Sequence, residues 1–358
     1  MKVAVVGLGR MGQTVIGHLQ ECPNTAAIVA YDIDPARVDQ VCTAFNVKGT
    51  NYLKAVLRDP TIALVFVTAS NNAHKDLTVQ ALEAGKAVMC EKPMAPSLTE
   101  ASEMVEVVDR TGGFLQIGFE MRYSKLFTIV KDWINQGLLG KVIHTHCEYV
   151  CSEFWGVNTW RSKGLGGGMF GEKLSHYVDL PRWWIGDRIS EIYCACAPNI
   201  IPYYCVRDNY QTIGRFQDGA VCSLTFKMGP ATTFDGDPHK NVVDQQQGDG
   251  HELRHFIQGT RGAAATDAFS RSIRRWAYSS EEDRGGQLIS RCLETLTWDG
   301  ANDDEYFHNT RDQTHDIVQR VKQGLPPALS AHDAFDTMRV CFAAEQSADS
   351  GLPVRPIA

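Results

Sequence analysis

The chain has 358 residues, 44% hydrophobic and 22% charged, with a formal net charge of -7. This is the composition of an ordinary globular protein, long enough for two domains. The acidic balance argues against a nucleic-acid partner, and no apolar run approaches the ~18–20 residues of a membrane span. Eleven cysteines without a CxxC pair point to a reduced, cytoplasmic protein with buried thiols rather than a disulfide framework. The opening MKVAVVGLGRMG is too rich in glycine for a signal peptide and reads as the first strand of the fold.

That strand, KVAVVG, runs straight into Gly7-Leu8-Gly9-Arg10-Met11-Gly12, after which Met11, Val15, Ile16 and Leu19 recur at helical spacing. Strand, G-x-G-x-x-G and helix in this order form a turn where a pyrophosphate meets helix N-terminal N–H groups. A second strand, AAIVAYDIDP, ends in Asp32. A carboxylate there accepts hydrogen bonds from a free ribose 2′-hydroxyl and repels a 2′-phosphate, which favours NAD over NADP. Asp34 and Pro35 serve as N-cap and first residue of the next helix, which shows Val38, Val41, Cys42 and Phe45 on one face.

ALVFVT (63–68) is the next strand, followed by a loop at Ala69-Ser70-Asn71-Asn72 and a helix from His74 to about Ala84 that Gly85 stops. AVMC then reads as a buried strand ending in Glu91-Lys92-Pro93. An acid and a base are costly to bury, and proline cannot extend a strand but fixes how the chain leaves it, through a cis or a trans bond. The tripeptide is either a surface ion pair beside a turn or part of a ligand site at the carboxyl edge of a parallel sheet. Ser97 and Glu100 fit a capping box for a helix over 98–110, and FLQIGF (114–119) is a further strand. Strands alternating with helices predict a parallel, doubly wound sheet.

A helix over 125–136 carries Leu126, Ile129, Val130, Trp133 and Ile134 on one stripe. Beyond Gly140 the texture changes to strand-like runs: KVIHTHCEYV, EIYCACA, YQTIGRF, GAVCSLTFKM, ELRHFIQGT and GAAATDAF. With few helices between them, they predict a second, α+β domain with a large, mostly antiparallel sheet. In HTHCEYVC, His144 and His146 face one way and Cys147 and Cys151 the other, so no metal site is expected there. A glycine run at 166–168 leads into a helix over about 169–185, where Glu172 and His176 stand at i and i+4. A carboxylate beside an imidazole is either a general acid/base pair or a structural pair on a buried helix. Pro181 predicts a kink or break in this helix. The polar stretch 229–250 reads as a mobile loop or substrate lid, and 312–322 and 331–350 as helices. Trp155, Trp160, Trp183 and Trp184 make either a sugar-stacking wall or core.

GLGRMG, TASNNAH, CEKP, LQIGFEMRY, WR followed by GGG, and the tail AAEQSADSGLPV together resemble the glucose–fructose oxidoreductase/inositol dehydrogenase (Gfo/Idh/MocA) family over nearly the whole chain. The resemblance implies a Rossmann domain over 1–121 and a substrate and oligomerisation domain over 122–358, with the helix 331–350 packing back towards the first. NAD would sit against Gly7, Gly9, Arg10, Met11, Gly12, Asp32, Ala69, Ser70, Asn71, His74, Glu91, Lys92, Trp160 and Arg161. A small carbohydrate or cyclitol would bind between the domains, against Lys92, Arg122, Tyr123, Trp155, Glu172 and His176. Lys92 would hydrogen-bond the reacting oxygen with Glu91 holding it, His176 would accept the hydroxyl proton, and Glu172 stands where many members have Asp. Glu120 departs from the Asn common at its position. The implied activity is oxidation of a secondary hydroxyl by hydride transfer to NAD. The alternatives are an NAD-dependent glycosidase working by transient oxidation and elimination, or a non-catalytic sugar or NAD sensor. The resemblance also implies a homodimer or homotetramer.

Overall fold

The computed structural model describes residues 1–153, 155–157, 159, 161–231, 250–279 and 288–356. Trp160 and residues 232–249, most of the expected lid, therefore lie outside the described residues. The chain divides into two compact units, Met1–Glu120 with Thr310–Met338, and Met121–Asn309 with Arg339–Ala358.

In the first unit the elements are β1 (Lys2–Val6), α1 (Arg10–Glu21), β2 (Ala27–Tyr31), α2 (Pro35–Phe45), β3 (Lys48–Thr50), α3 (Leu53–Arg58), β4 (Ile62–Val67), α4 (His74–Glu83), β5 (Ala87–Glu91), α5 (Leu98–Thr111) and β6 (Leu115–Gly118). The six strands are all parallel, in the order β3-β2-β1-β4-β5-β6. β1 lies between β2 and β4, so the order reverses there and opens a crevice at the carboxyl ends of β1 and β4. Capping fixes where the helices begin. Asp34 Oδ1 accepts from the Ala36 N–H at 3.0 Å, and Ser97 Oγ accepts from the Glu100 N–H at 3.3 Å while bonding the Glu100 carboxylate at 2.9 Å. Val3, Val5, Leu19, Leu64 and Phe66 form the core, joined by Ile317 and Val318 from the helix Thr310–Gln323.

The second unit contains α6 (Lys125–Asn135), β7 (Val142–Cys151), α7 (Ser175–Ile185), β8 (Ile189–Ala195), β9 (Asn209–Phe216), β10 (Val221–Met228), β11 (Glu252–Gly259), β12 (Gly262–Asp267), β13 (Ser272–Tyr278) and β14 (Ser290–Thr297). Its sheet runs β14-β13-β12-β11-β7-β10-β9-β8, antiparallel except for the β7–β10 pair. On β7, Cys147 and Cys151 turn into the core while His144 and His146 are only half-buried.

The helix expected over about 169–185 is present, with a local departure at its start and no break at Pro181. It opens as a π-turn over Phe170–Leu174 before α7 begins, with the Ser175 hydroxyl donating to the Gly171 carbonyl at 3.0 Å. Pro181 does not end α7, which continues to Ile185 and closes on Gly186 at φ 78°. Pro181 is buried, and the one ladder bond it forfeits is that of its own missing N–H to the Tyr177 carbonyl, which the rest of the helix tolerates.

Candidate active site

The glycines of the first turn are not equivalent. A Cβ on Gly7, whose φ is 99°, would lie 2.5 Å from the Ala69 backbone, and one on Gly12 would lie 2.0 Å from the Gly7 carbonyl. Those two are glycine because the chain itself fills the space. Gly9, the N-cap of α1, has an ordinary extended backbone and nothing within 4 Å of an added Cβ. The absence of a side chain there leaves the α1 N-terminus open to an anionic group. Arg10 is exposed, Met11 half-buried and Gly12 buried around the same turn.

Asp32, 8% exposed, follows directly on β2 beside this turn. Its Oδ2 accepts from the Leu8 N–H at 2.8 Å and its Oδ1 from the Asp34 N–H at 3.0 Å. Each carboxylate oxygen has a second lone pair, so the group braces the glycine turn and retains capacity for ribose hydroxyls. The turn is locked on its other side by the Thr68 hydroxyl, which donates to the Gly7 carbonyl at 2.6 Å. Thr68 was not singled out from the sequence, where it is only the last residue of a strand.

The loop after β4 joins the loop after β5 through one imidazole. His74 Nε2 lies 3.1 Å from the Ala69 carbonyl, and its Nδ1 lies 2.8 Å from the Pro93 carbonyl. Asn71 and His74 are buried, whereas Ser70 is exposed with its hydroxyl on Asn72 at 2.7 Å. The Lys92–Pro93 bond is cis. Glu91 is buried, and its Oε2 accepts from the Lys92 N–H at 3.3 Å. Gly118, its partner on β6, makes room for it: a Cβ there would lie 2.9 Å from that oxygen. Burial, then the charge of the equally buried Glu120, push the Glu91 carboxyl up to about 8 against the pull of Lys92.

In the second unit, arginines hold the acids. Arg122 grips Asp179 with two parallel bonds, Nε to Oδ2 and Nη2 to Oδ1, both 2.7 Å, with side chains 10% and 2% exposed. Arg122 was expected to bind substrate; its guanidinium is turned to α7. Arg161 Nε donates to Glu172 Oε2 at 2.8 Å, bringing an expected cofactor contact onto an expected catalytic carboxylate. Tyr123 offers its carbonyl to Asn309 Nδ2 at 3.3 Å. Trp155 stacks on Tyr204 with ring centroids 5.7 Å apart. The Tyr204 hydroxyl accepts from the Trp155 N–H and donates to its carbonyl. Trp184 is core. The Glu345 carboxylate, which the sequence did not mark, accepts from the Phe170 N–H at 2.9 Å and the Tyr210 hydroxyl at 2.8 Å, anchoring the start of the π-turn. His176 is 3% exposed and faces the ring of His308, another residue sequence reasoning passed over.

Residues 1–119 match the oxidoreductase family with the NAD-binding Rossmann fold, and residues 127–265 match the GFO/IDH/MocA C-terminal domain. The chain belongs to the Gfo/Idh/MocA family. It is an oxidoreductase of that family, and its first unit is an NAD-binding Rossmann domain. It is 24% identical to a myo-inositol 2-dehydrogenase from Thermotoga maritima (99% of this chain, 98% of the relative). It is 25% identical to a scyllo-inositol 2-dehydrogenase (NAD(+)) from Bacillus subtilis (99% and 96%). A levoglucosan dehydrogenase solved with NADH shares the fold, with a TM-score of 0.80 at 19% identity, covering 100% of this chain and 99% of that one. The open backbone at Gly9 and the remaining acceptors of Asp32 fit the NAD that the family implies. Among the described residues no helix is long and apolar enough to cross a membrane, and no cluster of His, Cys, Asp and Glu could hold a metal ion.

Proposed function

We propose that this Gfo/Idh/MocA oxidoreductase is an NAD-dependent dehydrogenase of a secondary hydroxyl on a cyclitol, sugar or sugar derivative. The observation that carries the reading is the carboxyl edge of the Rossmann sheet. There an open helix N-terminus and Asp32 stand on one side of the strand-order reversal, and Lys92 beside a buried carboxyl on the other. Relatives named as inositol 2-dehydrogenases support the substrate class.

The chemistry that NAD supplies is acceptance of a hydride. Asp32 orients the adenosine ribose and disfavours a 2′-phosphate. Lys92 donates to the reacting oxygen as negative charge builds on it; a preorganised donor of this kind is commonly worth ~3–4 kcal/mol in the transition state. His176 takes the hydroxyl proton. Glu91, driven towards the neutral form by burial, does not itself offset the Lys92 charge. Arg161 fixes the Glu172 carboxylate, and Arg122 fixes Asp179 one turn along from His176.

The sheet of the second unit supports self-association into a dimer or tetramer. Strand register lines up Tyr193, Ile213, Ser223, His146 and Phe256 in one row across its outer face. Tyr193, Ile213 and Phe256 are 39%, 55% and 41% exposed. Light scattering that returns a monomer at micromolar concentration removes this part of the proposal. Eleven free thiols suit a reducing compartment such as the cytoplasm.

The test is a screen of cyclitols, sugars and glycosides for NAD reduction, with products analysed. A ketone with stoichiometric NADH supports a dehydrogenase. An aglycone released without net NADH points to the glycosidase, and neither product removes the enzymatic reading. In single-turnover experiments Lys92→Ala should lose most hydride transfer while NAD affinity stays nearly unchanged, because Lys92 matters mainly as charge develops. Near-normal transfer in that variant would return Glu91-Lys92-Pro93 to a structural turn.

A further inference from the structure

Both ring nitrogens of His176 are shut off from solvent. A base so enclosed can take a proton from a hydroxyl, yet it must pass that proton on before the next turnover. The imidazole facing it is that of His308, with ring centroids 6.0 Å apart and planes at 76°. This spacing exceeds a direct N–H···N bond and is of the order that one bridging water spans.

His308 is half-buried, so it reaches both the enclosed ring and the solvent. Its backbone has φ 57°, in the left-handed region that histidine tolerates better than most residues. The residues on either side of it are pinned. Phe307 is buried, with its ring edge-on to Phe127 at 6.5 Å. Asn309 is 2% exposed; its N–H donates to Ser124 Oγ at 3.2 Å and its Nδ2 to the Tyr123 carbonyl. A sparsely populated conformation between pinned neighbours is an arrangement that concentrates at functional sites.

We propose that His308 is a positioning residue of the same site, acting through His176 as the relay that carries its proton to solvent. The inference rests on the reading of His176 as the base. The proton balance is simple. The hydroxyl proton passes to His176, from the His176 imidazolium to neutral His308, and from His308 to water; both rings end neutral, and one proton is released for each hydride transferred.

Asparagine also tolerates positive φ, so His308→Asn removes the ring and keeps the backbone, and His308→Gly serves as a second variant if the first does not fold. In protein with 15N-labelled histidine and no substrate, NMR reads exchange of the His176 ring N–H with water. His308→Asn should slow it roughly tenfold or more, and free imidazole should restore it. In turnover with a substrate found by the screen, the variant should lose roughly ten- to hundredfold at low buffer concentration and recover with imidazole, with KM and NAD affinity unchanged. Unchanged exchange, or slowing that imidazole does not reverse, overturns the relay even where the wild-type protein reduces NAD. Slowed, imidazole-restored exchange in a protein that reduces NAD with no member of the screen supports the relay and counts against the dehydrogenase.

Discussion

Replacing Glu91 by Gln should make the protein more stable, by an amount that grows with pH. Burial and Glu120 raise the Glu91 carboxyl to about 8, from an ordinary value of 4.5. Between those two values the native chain holds a proton that the unfolded chain has lost. Wild-type stability must therefore fall as pH rises through that window and level off above it. At 1.36 kcal/mol per pH unit, the full effect is roughly 5 kcal/mol, of which roughly 3 is present at pH 7. The amide of the Glu91→Gln variant can still accept from the Lys92 N–H and has nothing to ionise. Urea unfolding of both proteins from pH 4.5 to 9, followed through the transition of the first unit, supplies the comparison. Taking the difference between the two proteins cancels the other titrating groups. The two should be nearly equal at pH 4.5 and separate by several kcal/mol at pH 9. Curves that stay parallel would mean that Glu91 is ionised throughout and that Lys92 is one half of an ordinary ion pair. Glu120→Gln gives an internal check: removing the second acid should bring the Glu91 carboxyl down, so that the separation levels off at lower pH and reaches a smaller value.

Gly9→Ala should leave thermal stability unchanged and weaken NAD binding, whereas Gly12→Ala should destabilise the fold, because its Cβ meets the Gly7 carbonyl at 2.0 Å; calorimetric melting and NAD titration separate the two. Asp32→Ala should narrow the preference for NAD over NADP, and it should also lower stability by about 1–3 kcal/mol because the buried Leu8 N–H loses its acceptor; comparable affinity for both cofactors in the wild type would contradict the role of Asp32. Asp179→Ala leaves the Arg122 guanidinium buried and unpaired from its carboxylate, and should cost about 3–5 kcal/mol in urea unfolding.

The first unit was legible because a strand buried on both faces announces itself as an apolar run. KVAVV, IALVFV and AVMC need no partner to be recognised, and Gly, Asp-Pro and Ser-x-x-Glu punctuate the helices between them. Much of the second sheet was legible as well, most plainly where burial alternates, as in NYQTIGRF, whose pattern is strictly in-out, but also in GAAATDAF, whose strand is buried along most of its length. SIRRWAY and SRCLETLT went unread. The first interrupts its period with two adjacent arginines, and the second is exposed along nearly its whole length, so no apolar face marks it. The glycine turn, Asp32 and Lys92 could be nominated because their spacing is local. The Arg122–Asp179 and Arg161–Glu172 pairs could not, since each forms only when the fold brings separate segments together. His308 had no local signal at all: its role depends on a left-handed backbone and on a ring more than a hundred residues earlier.

The acids singled out in each unit divide by what their surroundings supply, and that division bears on mechanism more than their number does. Asp32 receives two backbone N–H donors, Asp179 two guanidinium bonds and Glu172 one from Arg161. Donors of this kind fix the direction of a carboxylate, which suits orienting a ribose or a helix face. Glu91 receives one long backbone bond, a neighbouring acid and almost no water, which favours the neutral carboxyl. The acid next to Lys92 is therefore largely uncharged at neutral pH. An ionised Glu91 would offset part of the Lys92 charge where, on the proposed reading, Lys92 donates to the reacting oxygen as negative charge builds on it. On this argument the burial of Glu91 is part of how Lys92 acts, and turnover should decline above pH 8 as Glu91 ionises, a decline that Glu91→Gln removes.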